Sequence, residues 1–153
     1  MKVFVFDPFV SKDVIENLGG IKVDSMEDAC KTMDAVSLHI PLNDKTKNII
    51  NYDLLKTMKN NCIIINAARG GIVNEVDLDK ALNEGLIFGA GLDVFETEPP
   101  EPNNPLLKND KVFLSPHTAA FTEECMTRMG KETVQNIIDF FDEKLEKSKI
   151  VKL

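Results

Sequence analysis

No run of 18 apolar residues occurs anywhere in the 153-residue chain, so no segment is long enough to cross a bilayer as a helix and no membrane role is expected. Basic residues are too few for the stripe that bulk nucleic-acid binding needs. Eighteen lysines and arginines stand against 25 aspartates and glutamates, for a net charge of -7. Histidine occurs only as His39 and His117. They lie far apart with no metal-ligand spacing around them, so no metal site is expected. The three cysteines, Cys30, Cys62 and Cys125, are odd in number, widely separated and flanked by apolar residues. That pattern argues for buried free thiols in a reducing, cytoplasmic setting and against a disulfide framework. The opening MKVFVFDPF has neither the long apolar core nor the small-residue cleavage site of a signal peptide. There is no internal repeat and no low-complexity segment.

What is present suits one soluble globular domain. A chain of this length buries about 68–70% of the surface its unfolded form exposes, enough for a real core. Short apolar runs at residues 2–6, 21–23, 35–39, 62–66, 87–94 and 112–114 read as strands covered on both faces. Helical patterns fit between them. One starts near Ser11 and stops at Gly19-Gly20. A second starts near Ser25, with Asp28 three residues on in a capping-box-like arrangement. A third begins near Asn51, and a fourth begins near Asn74 and ends at Gly85, a normal helix stop. The last runs from about Thr122 to Glu146, with Met126, Met129, Val134, Ile137, Ile138 and Phe141 on one apolar stripe. Residues 99–105 form a proline-rich polar loop, and the charged tail from 144 to 153 is expected to fray. Strands alternating with helices imply a parallel α/β sheet with right-handed crossovers.

Three residues carry the chemistry. Arg69 stands where an apolar strand stops, in Asn66-Ala67-Ala68-Arg69-Gly70-Gly71. Glu98 and His117 follow two later strands. A fixed cation, a carboxylate and an imidazole at strand ends suit hydride transfer to or from a hydroxy acid. A guanidinium grips a carboxylate with two parallel hydrogen bonds, which lysine cannot copy; the plainer alternative is a surface arginine paired with an acid. His117, in Ser115-Pro116-His117-Thr118, suits a general acid-base that Glu98 holds in one tautomer, or else a capped loop histidine. Asp7, after the first strand, suits hydrogen bonding to adenosine ribose hydroxyls and would repel a 2′-phosphate, favouring NAD over NADP; equally, Asp-Pro begins many turns. Asp93, among apolar residues, needs a partner because a buried carboxylate is costly. It suits either a ligand amide or a strand-end cap. His39 reads as structural or cofactor-lining.

The segments Ser37-Leu38-His39-Ile40-Pro41-Leu42, Asn66-Ala67-Ala68-Arg69-Gly70-Gly71-Ile72-Val73, Gly91-Leu92-Asp93-Val94-Phe95-Glu96-Thr97-Glu98-Pro99 and Ser115-Pro116-His117-Thr118-Ala119-Ala120 resemble the D-isomer-specific 2-hydroxyacid dehydrogenases. They stand in that family's order and spacing over almost the whole chain. The phosphoglycerate dehydrogenase branch is the most similar, with glyoxylate and hydroxypyruvate reductases close behind. The resemblance implies a partial Rossmann-type parallel sheet with helices on both faces, NAD as cofactor and a 2-hydroxy or 2-keto acid as substrate. It implies that Arg69 binds the substrate carboxylate and carbonyl, that His117 moves the proton, and that Glu98 pairs with His117. Asp7 would hold the adenosine ribose, and Ile40, Ala67, Ala68 and Arg69 would line the cofactor. Asp93 would contact the nicotinamide amide, with Thr118, Ala119 and Ala120 packed nearby. The family often has glycine where this chain has Ala119 or Ala120, a small departure that narrows the pocket.

The large departure is an absence. The family carries a Gly-x-Gly-x-x-Gly phosphate loop before the Asp7 strand; Gly19-Gly20 and Gly70-Gly71 do not match it. The first strand and the N-terminal substrate domain are missing as well, so residues 1–153 read as a single incomplete NAD-binding domain. In the family's strand order the lost strand lies in the middle. Two unpaired edges would face a gap, and the apolar stripe of the last helix would be exposed. The expectation is that the chain pairs with a second copy or with the missing N-terminal half, or closes the gap by re-pairing. The residues favour an NAD-dependent oxidoreductase that needs its missing half; the alternatives are a dinucleotide-binding interaction module and an inert truncated fragment. Without a phosphate loop, cofactor affinity should be weak.

Overall fold

Three consecutive isoleucines begin the strand on which the structure is built. Their β-branched side chains suit a pleated, half-buried surface, and alternation sends Ile64 into the core while Ile63 and Ile65 face the other way. The computed structural model describes residues 1–151. Its chain divides into two compact units, Met1–Pro116 and His117–Leu153.

The first unit contains β1 (Phe4–Val5), α1 (Lys12–Asn17), β2 (Ile21–Lys22), α2 (Met26–Cys30), β3 (Ala35–Leu38) and α3 (Tyr52–Leu55). It continues through β4 (Ile63–Asn66), α4 (Glu75–Asn83), β5 (Gly89–Leu92), a 3-10 turn (Pro105–Lys108) and β6 (Val112–Leu114). β3, β4, β5 and β6 form a parallel four-stranded sheet in that order, with Ser37, Ile65, Gly91 and Phe113 in register across it. Helices flank it, as a Rossmann-type domain requires. β1 and β2 pair in parallel as a separate two-stranded sheet. The six strands therefore do not join into one sheet. Among the described residues β1 pairs only with β2 and β3 only with β4, so each leaves one edge unpaired.

Side-chain caps start α2, α3 and α4 where the sequence places them, whereas Ser11 precedes α1 without a side-chain cap bond. Ser25 Oγ accepts the Asp28 N–H at 3.1 Å, Asn51 Oδ1 the Leu54 N–H at 3.1 Å and Asn74 Oδ1 the Asp77 N–H at 3.0 Å. Each such cap is worth about 1 kcal/mol. Gly85 ends α4 at φ 70°, in the left-handed region that a Cβ disfavours. Asp77 also accepts the Tyr52 N–H at 2.9 Å, so the start of α3 is seated on the start of α4.

The core lies on one face of the four-stranded sheet. Ile50, Leu55, Cys62, Ile64, Ile72, Leu78, Leu82, Ile87 and Leu106 are fully buried there, with Cys30 of α2 beside them. The alternate residues of the strands face the other way and remain exposed: Ile63 at 37%, Ile65 at 40% and Phe113 at 78%.

The second unit is α5 (Glu123–Phe141), capped by Thr122 Oγ1 on the Cys125 N–H at 3.2 Å, followed by a 3-10 turn (Lys147–Lys149). Its stripe residues Met126, Met129, Val134, Ile137, Ile138 and Phe141 are all exposed, as expected of this helix. α5 stops at Phe141 and not at Glu146. Glu143 turns left-handed at φ 58°, and the N–H groups of Lys144 and Leu145 both bond Asp139 O. Helix formers continue through that point, so local propensity contains no stop signal. As far as the described residues run, the tail holds the 3-10 turn at Lys147–Lys149, with no residue of it buried; Lys152 and Leu153 lie outside them. No helix among the described residues is long and apolar enough to cross a membrane, and no group of three or more potential metal ligands is found among them.

Burial pushes the Cys30 thiol up to about 11, with Cys62 adding to the shift, and burial raises the Cys62 thiol as well. An acid that holds its proton longer when folded stabilises the fold fully below its unfolded value of 9.0 and loses that contribution as the pH rises towards about 11. Urea unfolding should therefore show stability falling above pH 9.0, and Cys30→Ala should reduce the slope. Thiol labelling of the folded chain at neutral pH should modify the half-buried Cys125 well before Cys30 or Cys62.

Candidate active site

The carboxyl ends of parallel strands are where open α/β sheets bind ligands, and the expected site residues of the first unit collect there. Asn66, the last residue of β4, is only 2% exposed and organises the turn that follows. Its Oδ1 accepts the Ala68 N–H at 3.1 Å and its Nδ2 donates to Arg69 O at 2.9 Å. Its main-chain carbonyl accepts the Asp93 N–H at 3.0 Å. The buried amide is thus satisfied by the turn it shapes, and Arg69 is carried outward. The guanidinium is exposed, with Nη1 donating to Ala68 O at 2.6 Å.

The next loop approaches this turn through main chain. A Cβ on Gly70 would lie 1.7 Å from Phe95 O and 2.0 Å from Phe95 C. Only glycine lets the Arg69 turn and the Phe95–Glu96 peptide pack directly. Two residues further along that loop is Glu98, exposed, whose Oε1 accepts the Phe95 N–H at 3.0 Å. The structure thus brings the segments bearing Arg69 and Glu98 together.

Asp93 lies just beyond β5, not within a strand, because the strand ends at Leu92. It is 6% exposed, and its Oδ1 accepts the Ser115 hydroxyl at 2.5 Å. The bond joins the end of β5 to the residue after β6, in keeping with the strand-end reading. Ile40 follows β3, half-buried against the core. His39 is exposed, 2.9 Å from Ser37 Oγ. Ala67 and Ala68 occupy the Asn66 turn.

Asp7 follows β1. Its Oδ1 accepts the N–H groups of Phe9 at 2.8 Å and Val10 at 3.1 Å. The Lys22 ammonium donates to the carbonyls of Asp7 and Val10, both at 2.7 Å. Asp7 is therefore a turn aspartate, and no bond within the described residues uses Oδ2. The turn uses Oδ1 alone, so Oδ2 is left for a ribose hydroxyl if the other reading holds.

His117, Thr118, Ala119 and Ala120 belong to the second unit. His117 is exposed at φ 55°, and Thr118 O accepts the Phe121 N–H at 2.8 Å in the turn that precedes α5. Asn66, Gly70 and Ser115 shape the turns around these residues; sequence reasoning gave Gly70 only a turn role and assigned none to Asn66 or Ser115. An amide closing a run of isoleucines is the signal that could have pointed to Asn66.

Residues 1–119 match the family model described as the D-isomer specific 2-hydroxyacid dehydrogenase NAD binding domain. The chain belongs to the D-isomer-specific 2-hydroxyacid dehydrogenases, and the matched region is that family's NAD-binding domain. It is 44% identical over 137 residues to a D-3-phosphoglycerate dehydrogenase of Methanocaldococcus jannaschii, covering 90% of this chain and 26% of that protein. It is 40% identical over 140 residues to a glyoxylate reductase of Korarchaeum cryptofilum, covering 92% of this chain and 42% of the relative. Among solved structures, the NAD-complexed D-isomer specific 2-hydroxyacid dehydrogenase of Lactobacillus delbrueckii ssp. bulgaricus superposes with a TM-score of 0.86 at 30% identity, over 99% of this chain and 48% of that one. The chain thus spans less than half the length of each of these relatives.

A Gly70→Ala variant should lose about 3 kcal/mol of stability, because main chain must move to admit the methyl. In Gly91→Ala, where a Cβ meets nothing within 4 Å, the change should stay within about 0.5 kcal/mol. Urea unfolding of both variants checks the contrast.

Proposed function

We propose that the chain carries the NAD-binding and acid-base part of an enzyme that interconverts a 2-keto acid and a D-2-hydroxy acid, similar to phosphoglycerate dehydrogenase. The observation that supports this most is the direct packing of the Arg69 turn on the loop bearing Glu98, at the carboxyl ends of β4 and β5. NADH, when bound, supplies the hydride for the carbonyl carbon. Arg69 grips the substrate carboxylate and polarises the carbonyl. His117 gives its proton to the carbonyl oxygen in reduction and takes it back in oxidation. Glu98 pairs with His117 and fixes its tautomer. At the cofactor, Asp7 holds the adenosine ribose, Asp93 meets the nicotinamide amide, and Ile40, Ala67, Ala68, Thr118, Ala119 and Ala120 form the lining.

The described residues contain no glycine-rich phosphate loop at a helix start. The grip on the pyrophosphate that such a loop provides is therefore missing from this set, and affinity for the dinucleotide is weak. A second reading, an NAD-binding module that docks to another protein segment, is favoured by the open sheet face at Ile65 and Phe113 and by the exposed stripe of α5. In both readings the chain acts in an assembly, with a second copy or with a segment that completes the sheet.

Titration of the chain with NADH, followed by fluorescence with light scattering on the same sample, tests this. Saturable binding weaker than micromolar, further weakened by Asp7→Ala, is expected; no saturation at any concentration would overturn the cofactor assignment. At saturating NADH, reduction of glyoxylate or hydroxypyruvate reads the chemistry. Arg69→Lys should lower kcat/KM about 10- to 100-fold, the loss of charge-assisted hydrogen bonds that lysine cannot reproduce.

A further inference from the structure

We infer that Glu75, outside the proposed set of site residues, is a positioning residue that holds the loop presenting Glu98 against the Arg69 turn. The inference rests on the reading of Glu98 as a site residue. Glu75 is the first residue of α4 and is half-buried. Its Oε1 accepts the Glu96 N–H at 2.6 Å, and its Oε2 accepts Asn104 Nδ2 at 2.6 Å. One carboxylate therefore ties both ends of the loop that contains Glu98.

Each end is anchored further. Asn104 Oδ1 accepts the Leu106 N–H at 3.0 Å, and Leu106 is fully buried, so the far end is fastened to the core. At the near end Phe95 is buried, and its peptide with Glu96 lies against Gly70. Lys47 pairs with Glu96 Oε1 at 3.6 Å, but both side chains are more than half exposed, and such pairs contribute little. Glu75 is thus the stronger tether. Two donors converge on it from different segments, which a carboxylate satisfies with its two oxygens. A glutamine there would turn an amide NH₂ towards one of the donors. Proton and hydride transfer demand tight placement, since a misplacement of about 1 Å can cost about 100-fold in rate.

The Phe95 N–H is the reporter, because it bonds Glu98 and not Glu75. Amide hydrogen exchange on the 153-residue chain, read by NMR, compares the parent chain with Glu75→Gln, Glu98→Ala and Val76→Ala. Val76 shares the helix turn but is exposed. Glu98→Ala should speed exchange at Phe95. Glu75→Gln should speed it at both Glu96 and Phe95 by about tenfold or more, with Ile64 and Leu92 unchanged, the loss of one charge-assisted hydrogen bond. Val76→Ala should alter neither loop amide. Acceleration at Glu96 alone would overturn the inference, as would a Phe95 amide insensitive to Glu98→Ala. NADH-dependent reduction of glyoxylate supplies the second readout: Glu75→Gln should lower kcat about tenfold while KM stays within about twofold, and added to Glu98→Ala it should cost nothing more. A parent chain without turnover at saturating NADH counts against the functional reading, and the exchange result then decides the role of Glu75 by itself.

Discussion

A single amide that must be satisfied away from water governs the site. Asn66 ends β4 and is only 2% exposed, and an unpaired polar group there would cost about 1–3 kcal/mol. The chain satisfies it by folding residues 68 and 69 back over it, and the Asn66 carbonyl meanwhile pairs with Asp93 of the adjoining segment. The turn that results can lie only one way. Its outward residue is Arg69, its next residue must lack a side chain, and the peptide of Phe95 occupies the space so freed. The site thus derives from a local accounting of hydrogen bonds in which the exposed arginine is held by its neighbours' main chain.

The sheet was largely legible from residue patterns. Every strand came from a short apolar run, and the caps at Ser25, Asn51, Asn74 and Thr122 marked helix starts because an oxygen one residue before a helix finds the N–H three residues on. Ends were harder to read. Phe141 is followed by residues that favour helix, and the stop at Glu143 depends on a left-handed turn that no glycine announces. β5 proved shorter than its apolar run, which moved Asp93 from strand interior to strand end and gave it Ser115 as partner. Contacts between loops far apart in sequence, such as Gly70 with Phe95 or Glu75 with Asn104, have no periodicity to betray them.

The division of the strands into a pair and a foursome follows from composition as much as from topology. β1 and β2 are two residues each and bury little besides Ile15 and the inward side of Val5. A two-stranded unit is marginal alone. Its support comes from local fastenings, the Asp7 turn and the Lys22 ammonium bridging two carbonyls. The four-stranded sheet, by contrast, has a continuous apolar core beneath it, so the two parts of the same unit differ in what holds them.

The uncovered side of that sheet bears on how the chain behaves in water. Ile63, Ile65 and Phe113 form an apolar face above a well-packed interior. Dyes such as ANS, usually taken to signal loosened packing, will find a surface here while Ile64, on the opposite side of the same strand, remains sealed. Dye fluorescence and cooperative melting will therefore report on opposite faces of one sheet, and a bright signal will coexist with an ordered core.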